Sequence, residues 1–409
     1  MSEIKKVVVA YSGGLDTSII LSWVKKRYDC EVVACCVDVG QGSELKGLNE
    51  KAKQTGALNS YIIDAKKEFV TDYIYPAIRA NALYENKYYL GTALARPLIA
   101  KKIADVVKKE KADAVCHGAT GKGNDQVRFE LAFKALIPNT KIIAPWREWE
   151  IKSREDAIDY ADKNHISIPV TKAKPYSSDA NLWHVSYEGG ILEDLSKEYD
   201  ESMFKMTVSP QKAPDRPTYV SISFDGGTPF AVNGEKIEPV ELIEKLNEVA
   251  GANGIGRMDI VENRLVGIKS RGIYESPAAV VLYAAHEELE SVTLDRDTLH
   301  FKQCLSAKYA ELAYYGLWFS PLREAIDAFV NDTQKYVTGD IKLKLYKGTI
   351  TTSSRYGKYS LYSEKLATFG EDEFYNHKDA EGFINLWGLP VKVQAILRNK
   401  IKQKAELDR

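Results

Sequence analysis

Ala10-Tyr11-Ser12-Gly13-Gly14-Leu15-Asp16-Thr17-Ser18 joins a β-rich apolar run, Lys6 to Tyr11, to a stretch of helical character, Thr17 to Tyr28. Two glycines between a strand and a helix let the backbone turn sharply and come close to a ligand. The small hydroxyl residues can cap the helix and donate hydrogen bonds. Unpaired N–H groups and the helix dipole at such a start favour an anion, and a phosphate chain is the natural occupant. No Gly-Lys-Ser or Gly-Lys-Thr follows at the spacing of a Walker loop, and the glycines do not form a G-x-G-x-x-G dinucleotide fingerprint. A bare Gly-Gly would be an ordinary turn. Ser12 before the pair and Asp16-Thr17-Ser18 after it favour a phosphate cradle.

Outward from this loop the chain alternates. Glu31 to Val39 is a second buried strand ending at Gly40-Gln41-Gly42, and Leu58 to Asp64 is a third. Pro97 opens a helix with Ile99, Ile103, Val106 and Val107 on one face. Ala112 to Cys116 and Lys141 to Ala144 are two more strands. Strands alternating with helices predict a mostly parallel sheet, with ligands beyond the carboxyl ends of its strands.

After Pro169 the pattern changes. Lys172 to Asn181 is polar and irregular, and Lys172 and Lys174 are surface charge. Tyr219 to Phe224 alternates and turns at Asp225-Gly226-Gly227, as antiparallel strands do. Helices are expected near Val240 to Val249, Ser276 to Leu289 and Pro321 to Thr333. A strand pair, Lys342 to Leu345 and Thr349 to Thr352, turns at Lys347-Gly348. The expected fold is therefore α/β: a parallel-sheet nucleotide-binding domain over 1–168, an α+β domain over 169–365 and a tail over 366–409. In the tail Val393, Leu397 and Ile401 form one thin helical stripe, suited to docking on its own chain or on a sister subunit. Its place at the end of the chain favours the sister subunit.

Length and composition set further bounds. A chain of 409 residues suits two to three domains, each with its own core. Its 56 basic and 57 acidic side chains argue against a protein built mainly to grip nucleic acid or anionic membranes. A small local basic pocket stays compatible with that balance. No apolar run approaches the roughly 20 residues of a membrane span. Val7 to Ala10 is too short for a signal-peptide core. The cysteines, Cys30, Cys35, Cys36, Cys116 and Cys304, include no C-x-x-C pair. They are expected to be free thiols in a reducing cytoplasm, with Cys35 and Cys36 buried.

The strand ending at Cys116 runs into a second glycine-rich loop, His117-Gly118-Ala119-Thr120-Gly121-Lys122-Gly123-Asn124-Asp125-Gln126-Val127-Arg128-Phe129-Glu130. Its glycines free the backbone to wrap a small ligand. Asn124 or Asp125 is placed to cap the helix that runs towards Leu136. Asn124 and Arg128, four apart, face one side of its first turn. A helix start beside an arginine suits an amino-acid carboxylate.

Ala10 to Ser18 resembles the pyrophosphate loop of the N-type ATP pyrophosphatases, which cleave ATP between its α and β phosphates. The wider chain resembles the argininosuccinate synthase family. The resemblance is carried by Ala10 to Ser18, Tyr84 to Pro97, His117 to Glu130, Ala144 to Trp149, Pro175 to Gly190 and Asp259 to Tyr274. The stretch from Gly118 to Glu130 is its most specific part. It implies an adenine nucleotide alpha hydrolase-like domain, a synthetase domain and a C-terminal oligomerisation helix in a cytoplasmic homotetramer. It also implies ligation of citrulline and aspartate, through a citrullyl-adenylate, in arginine biosynthesis. ATP is the co-substrate, magnesium is expected with it, and argininosuccinate, AMP and pyrophosphate are the products.

The same resemblance implies residue roles. Ala10, Tyr11, Ser12, Gly13, Gly14, Leu15, Asp16, Thr17 and Ser18 would bind ATP, with Val37 and Gly118 near the adenosine. Tyr88, Asn124, Arg128, Ser177, Ser186, Glu262 and Tyr274 would contact citrulline. Thr120, Asn124 and Asp125 would contact aspartate, and Asn124, Asp125 and Arg128 would do the positioning. Ala93 stands where many relatives have a serine, so a side-chain hydrogen bond from that position is impossible; a backbone contact or Thr92 could replace it. Singly, Ser177 and Ser186 would be ordinary loop hydroxyls, Glu262 a solvated charge and Tyr274 a core-edge aromatic. His117 and His184 have no paired serine or cysteine motif and are expected to be structural. Two other classes carry similar ATP loops. A nucleotide sensor would need no second loop of this kind, and a transfer-RNA thiolation enzyme would need reactive cysteines and a basic surface.

Overall fold

The computed structural model describes residues 4–121, 123–151, 154–166, 176–368, 370 and 375–407. The first sheet grows from β1 (Lys6–Ala10), β2 (Glu31–Asp38), β3 (Asn59–Asp64), β4 (Ala114–Cys116) and β5 (Lys141–Ile143). Val7, Val8 and Val9 are fully buried, as β-branched residues are when both faces of a parallel strand are covered. Every pairing in this sheet is parallel, in the order β3-β2-β1-β4-β5. The order reverses between β1 and β4, and a crevice opens beyond the carboxyl ends of strands at such a switch point. Both glycine loops leave from those two strands.

Two antiparallel sheets follow. β6 (Ser177–Ala180), β7 (Val185–Glu188), β11 (Arg257–Asn263) and β12 (Lys269–Glu275) pair in the order β11-β12-β7-β6. β8 (Thr218–Asp225), β9 (Thr228–Val232), β10 (Glu235–Lys236), β13 (Gly339–Tyr346) and β14 (Thr349–Gly357) pair in the order β10-β9-β8-β13-β14. Helices Pro239–Ala252, Pro277–Thr293 and Pro321–Thr333 each begin at a proline, where a missing N–H is harmless and φ is already helical.

Three local expectations change. Pro97 lies inside the helix Gly91–Glu110 and does not open it. Leu90 turns in the left-handed region at φ 61° and starts the helix earlier. Ser177 to Ala180, expected to be irregular, is a strand because it finds its ladder on β7. The helix Arg296–Tyr314 was not foreseen. Its start is capped by Asp295, whose carboxylate accepts from the Asp297 and Thr298 amides. Lys172, Lys174 and the boundary at Pro169 lie outside the described residues.

The chain separates into two compact units, residues 1–359 and 360–409. All three sheets belong to the first. The second carries the helices His377–Trp387 and Leu389–Leu407, and the Val393, Leu397 and Ile401 stripe is exposed. No helix among the described residues is long and apolar enough to cross a membrane. Cys30, Cys35, Cys36 and Cys116 are buried and Cys304 is exposed, and none of the five is in a disulfide.

A buried polar network holds the turn that leads into the site. Glu290 and Lys302 are both 1% exposed and pair at 3.0 Å. Glu290 also accepts from Asn81 at 2.7 Å and from Gln334 at 2.6 Å. His286 bridges Asn81 and Gln334. Asn81 and Ala82, the latter held through its carbonyl by the Tyr283 hydroxyl, precede Tyr84 and Tyr88. Replacing Glu290 by Ala strands the Lys302 ammonium in the core. We expect a loss of about 3–5 kcal/mol in denaturant unfolding; a loss below about 1 kcal/mol would contradict the network's role.

Candidate active site

Gly13 has φ +76°, and a Cβ there would lie 2.1 Å from Leu48 Cδ2. Only glycine fits this turn. Gly14 occupies the cap of the helix Leu15–Tyr28, and no side chain caps it. The hydroxyls expected to cap serve each other instead: Ser12 Oγ and Thr17 Oγ1 lie 3.2 Å apart. The first intrahelical bond runs from the Ser18 amide to the Gly14 carbonyl, so the first-turn amides point out of the helix end as anion donors. Gly118 closes the other side. A Cβ on it would lie 2.8 Å from Ile20 Cδ1 and 3.5 Å from Thr17 Cγ2, so the two glycine loops sit against one another.

Beside them lies a cavity of about 250 Å³. Its walls come from the second glycine loop, the start of the helix Gly91–Glu110, and strands β6, β7, β11 and β12. Tyr274 donates to Glu262 Oε1 at 3.2 Å, while Glu262 Oε2 is buried with no partner among the described residues. Burial raises the Glu262 pKa, and the Arg128 charge works against that rise. The Tyr88 oxygen accepts from the Thr92 amide at 3.0 Å, so the phenol proton stays available to the cavity; burial pushes its pKa to about 12.

Asp125 lies between two arginines. Arg96 Nε donates to it at 2.8 Å and Arg128 Nη1 at 3.0 Å. Arg96 also pairs with Asp179 on β6. Burial opposes the Asp125 carboxylate, but Arg96 and Arg128 outweigh it and hold its pKa below the usual range. Arg128 Nε donates to the Tyr314 carbonyl at 3.0 Å, and the guanidinium lies 4.8 Å from the Tyr314 ring centroid. Gly316 gives the room, since a Cβ there would meet Arg128 Cα at 2.8 Å. An arginine held on its Nε and Nη1 sides can present its remaining edge to a carboxylate.

Known proteins share this chain's sequence over nearly its whole length. Residues 6–167 match the model described as "Arginosuccinate synthase N-terminal HUP domain", and residues 176–394 match "Arginosuccinate synthase C-terminal domain". The argininosuccinate synthase of Endomicrobium trichonymphae is 81% identical over 395 residues, 97% of this chain and 96% of the relative. That of Carboxydothermus hydrogenoformans is 64% identical over 96% of this chain and 98% of its own length. The chain belongs to the argininosuccinate synthase family. It is an ATP-dependent ligase of arginine biosynthesis.

Eight of the residues expected to contact the amino-acid substrates line the one cavity: Tyr88, Thr120, Asn124, Asp125, Arg128, Ser186, Glu262 and Tyr274; Gly118, expected near the adenosine, lines it too. Ser177 does not. It is exposed, pairs with Glu188 across β6 and β7, and faces a neighbouring cleft with Arg264, Lys269 and Arg271. The Val37 side chain is buried in the core, and its carbonyl accepts from Gln41. Asn124 takes the cap position, but its side chain does not cap. Its Oδ1 accepts from the Leu265 amide at 2.9 Å, and its Nδ2 donates to the Tyr314 hydroxyl at 2.8 Å. It clamps the β11–β12 loop instead.

Ala93 is fully buried and does not line the cavity, whereas Thr92 does. Asp179 and Arg264, which line the cavity, and Arg96, which pairs with Asp125 and Asp179, were not marked from the sequence. Arg96 had one signal, its place one turn after Thr92 on the same helix face. His117 and His184 hold structural hydrogen bonds. The Ala119 amide donates to His117 Nδ1 at 3.2 Å, and His117 Nε2 lies 3.2 Å from Glu130. Burial lowers the pKa of each histidine from 6.5 to about 4. Between those values the unfolded chain binds protons that the folded chain does not, so stability falls as pH drops through that window. We expect the melting temperature to fall from pH 7 to pH 5, and to fall less in His184→Gln. Equal falls in both proteins would count against this linkage.

Proposed function

We propose that the loop from Ala10 to Ser18, with Gly118, cradles the phosphates of ATP, and that the adjoining cavity holds citrulline beside aspartate. In the reaction of this family a ureido carbon must become electrophilic. Attack of the ureido oxygen on the α-phosphorus makes that oxygen part of an adenylate and releases pyrophosphate. The aspartate amine then displaces AMP at the activated carbon. The contact of the two glycine loops carries this reading, because it sets the anion cradle against the amino-acid cavity.

In this assignment Arg128 binds a citrulline carboxylate, Glu262 Oε2 accepts from citrulline N–H groups, and Tyr88, Ser186 and Tyr274 shape the pocket. Thr120, Asn124 and Asp125 face aspartate. Ser177 lies on the neighbouring cleft and has no citrulline contact in this assignment. The protein acts mainly by positioning and by placing charge. Among the described residues no group of three or more His, Cys, Asp or Glu side chains could hold a metal ion. A magnesium ion would come with the ATP phosphates and supply charge neutralisation there. The exposed stripe on Leu389–Leu407 is proposed to join copies of the chain into a homotetramer in the cytoplasm.

Arg128→Ala should raise the citrulline KM by a factor equivalent to about 1.5–3 kcal/mol, the range of a charge-assisted hydrogen bond. An unchanged KM would remove Arg128 from the citrulline site. Gly14 has room for a side chain, with only Ser12 Oγ at 3.6 Å. Gly14→Val should thus fold, place methyl groups in the cradle and abolish pyrophosphate release; retained activity would contradict the cradle. Pyrophosphate formed from ATP and citrulline without aspartate would expose the adenylate half-reaction. Truncation before Leu389 should reduce the size measured by light scattering, and an unaltered size would rule out the stripe as the subunit contact.

A further inference from the structure

The helix Leu48–Gln54 lies against the glycine loop that follows β1, through the contact of Leu48 with Gly13. Lys51, one turn further along the same face, donates from Nζ to the Gly13 carbonyl, 38 positions away in the chain. The ammonium is half-buried and forms no ion pair among the described residues. Burial lowers the Lys51 pKa, and no neighbouring carboxylate among those residues counters it. A cation taken partly out of water needs an acceptor, and this one has found a main-chain oxygen inside the loop. The stretch Ala10 to Ser18 carries no lysine of its own, so its one cation arrives from a separate helix.

Gly13 and Gly14 flank the peptide whose oxygen Lys51 holds. Glycine takes φ of either sign at little cost, so a peptide between two glycines turns over easily unless something holds it. This peptide is trans, and in a planar trans peptide the C=O and N–H point in opposite directions. With the Gly13 oxygen turned towards Lys51, the Gly14 N–H is turned to the other side, away from the helix Leu48–Gln54. That amide has no partner among the described residues. It stands at the start of the helix Leu15–Tyr28, where free amides favour an anion. A cation on the oxygen also polarises the peptide and makes its N–H the stronger donor.

We propose that Lys51 is a positioning residue of the phosphate loop: it locks the Gly13–Gly14 peptide with the Gly14 N–H aimed at the pyrophosphate half of ATP. Lys51 acts through that amide and not by touching substrate. This rests on the reading of Ala10 to Ser18 as a phosphate cradle. It ties Lys51 to the leaving group alone, with no part in the amino-acid cavity.

Two measurements test this in the full chain, with magnesium pyrophosphate as the probe. The first is NMR of the unaltered enzyme carrying glycine labelled with ¹³C at its carbonyl and with ¹⁵N. Directly bonded glycine pairs occur at Gly13-Gly14, Gly189-Gly190 and Gly226-Gly227, and Gly14→Val removes the first signal and so assigns it. Added pyrophosphate should move the Gly14 amide proton downfield, as a new hydrogen bond does; an unmoved amide overturns the proposal. This readout needs no Lys51 variant. The second is calorimetric and kinetic. Lys51→Met keeps an unbranched stem and loses the ammonium. It should weaken pyrophosphate binding and raise the ATP KM, each by about tenfold or more, the scale of a hydrogen bond to a charged group. Lys51→Arg, which keeps a cation, should recover most of both. The citrulline and aspartate KM values should stay within about twofold. A merely structural lysine would lower the melting temperature of Lys51→Met and leave pyrophosphate binding unchanged, and that result overturns the proposal. A citrulline KM raised as much as the ATP KM overturns it too. Should Gly14→Val weaken pyrophosphate binding while Lys51→Met does not, the Lys51 role fails alone. If Gly14→Val also leaves binding unchanged, the cradle reading fails, and the Lys51 role fails with it.

Discussion

Asp125 between Arg96 and Arg128 is the interaction on which the site depends. Both guanidiniums are largely removed from water, and a buried charge left without a partner is strongly destabilising. The carboxylate at the start of the helix Asp125–Leu136 satisfies both. Each arginine then reaches a different part of the fold. Arg96 pairs with Asp179 on β6, and Arg128 donates to the carbonyl of Tyr314 at the end of the helix Arg296–Tyr314. Three distant segments are thereby fixed around one helix start. The cavity is the space they leave.

The division of labour follows from what each ligand offers. Backbone N–H groups at a helix end suit a phosphate chain that comes close to them, and Gly13 at φ +76° allows that approach. Zwitterionic amino acids need charges of both signs, and the cavity has them in Arg128 and Arg264 against Asp125, Asp179, Glu188 and Glu262. Neither requirement shows in the overall balance of 56 basic and 57 acidic residues. A net charge of -1 is compatible with a polyanionic co-substrate when the groups that face it are local and preorganised.

The parallel sheet was legible because its signals are local. The valine run of β1, the glycine pair and the helix that follows lie within one short segment, and each strand of the sheet carries its own apolar run. Pro97 misled because proline at a first helical turn is common, while here the left-handed turn at Leu90 starts the helix earlier. Ser177 to Ala180 looked irregular because its sequence has no apolar alternation; its ladder on β7 makes it a strand. Asn124 was legible as a cap by residue type, yet its side chain serves Leu265 and Tyr314, residues remote in sequence.

The sequence by itself determined the α/β class, the glycine turn after the first strand and the family's motif positions, since each rests on residues within a few places of one another and on backbone rules that act over one turn. The tertiary structure alone decided which marked residues share a cavity, that Ser177 stands apart from them, that Asp179 lines it, and that Arg96 joins Asp125 to Asp179. Those facts depend on charge pairing and hydrogen bonding between segments as far apart as Arg96 and Asp179, or Arg128 and Tyr314. Long-range pairs of this kind are set by how the sheets and helices pack, and no local pattern in the chain encodes that distance.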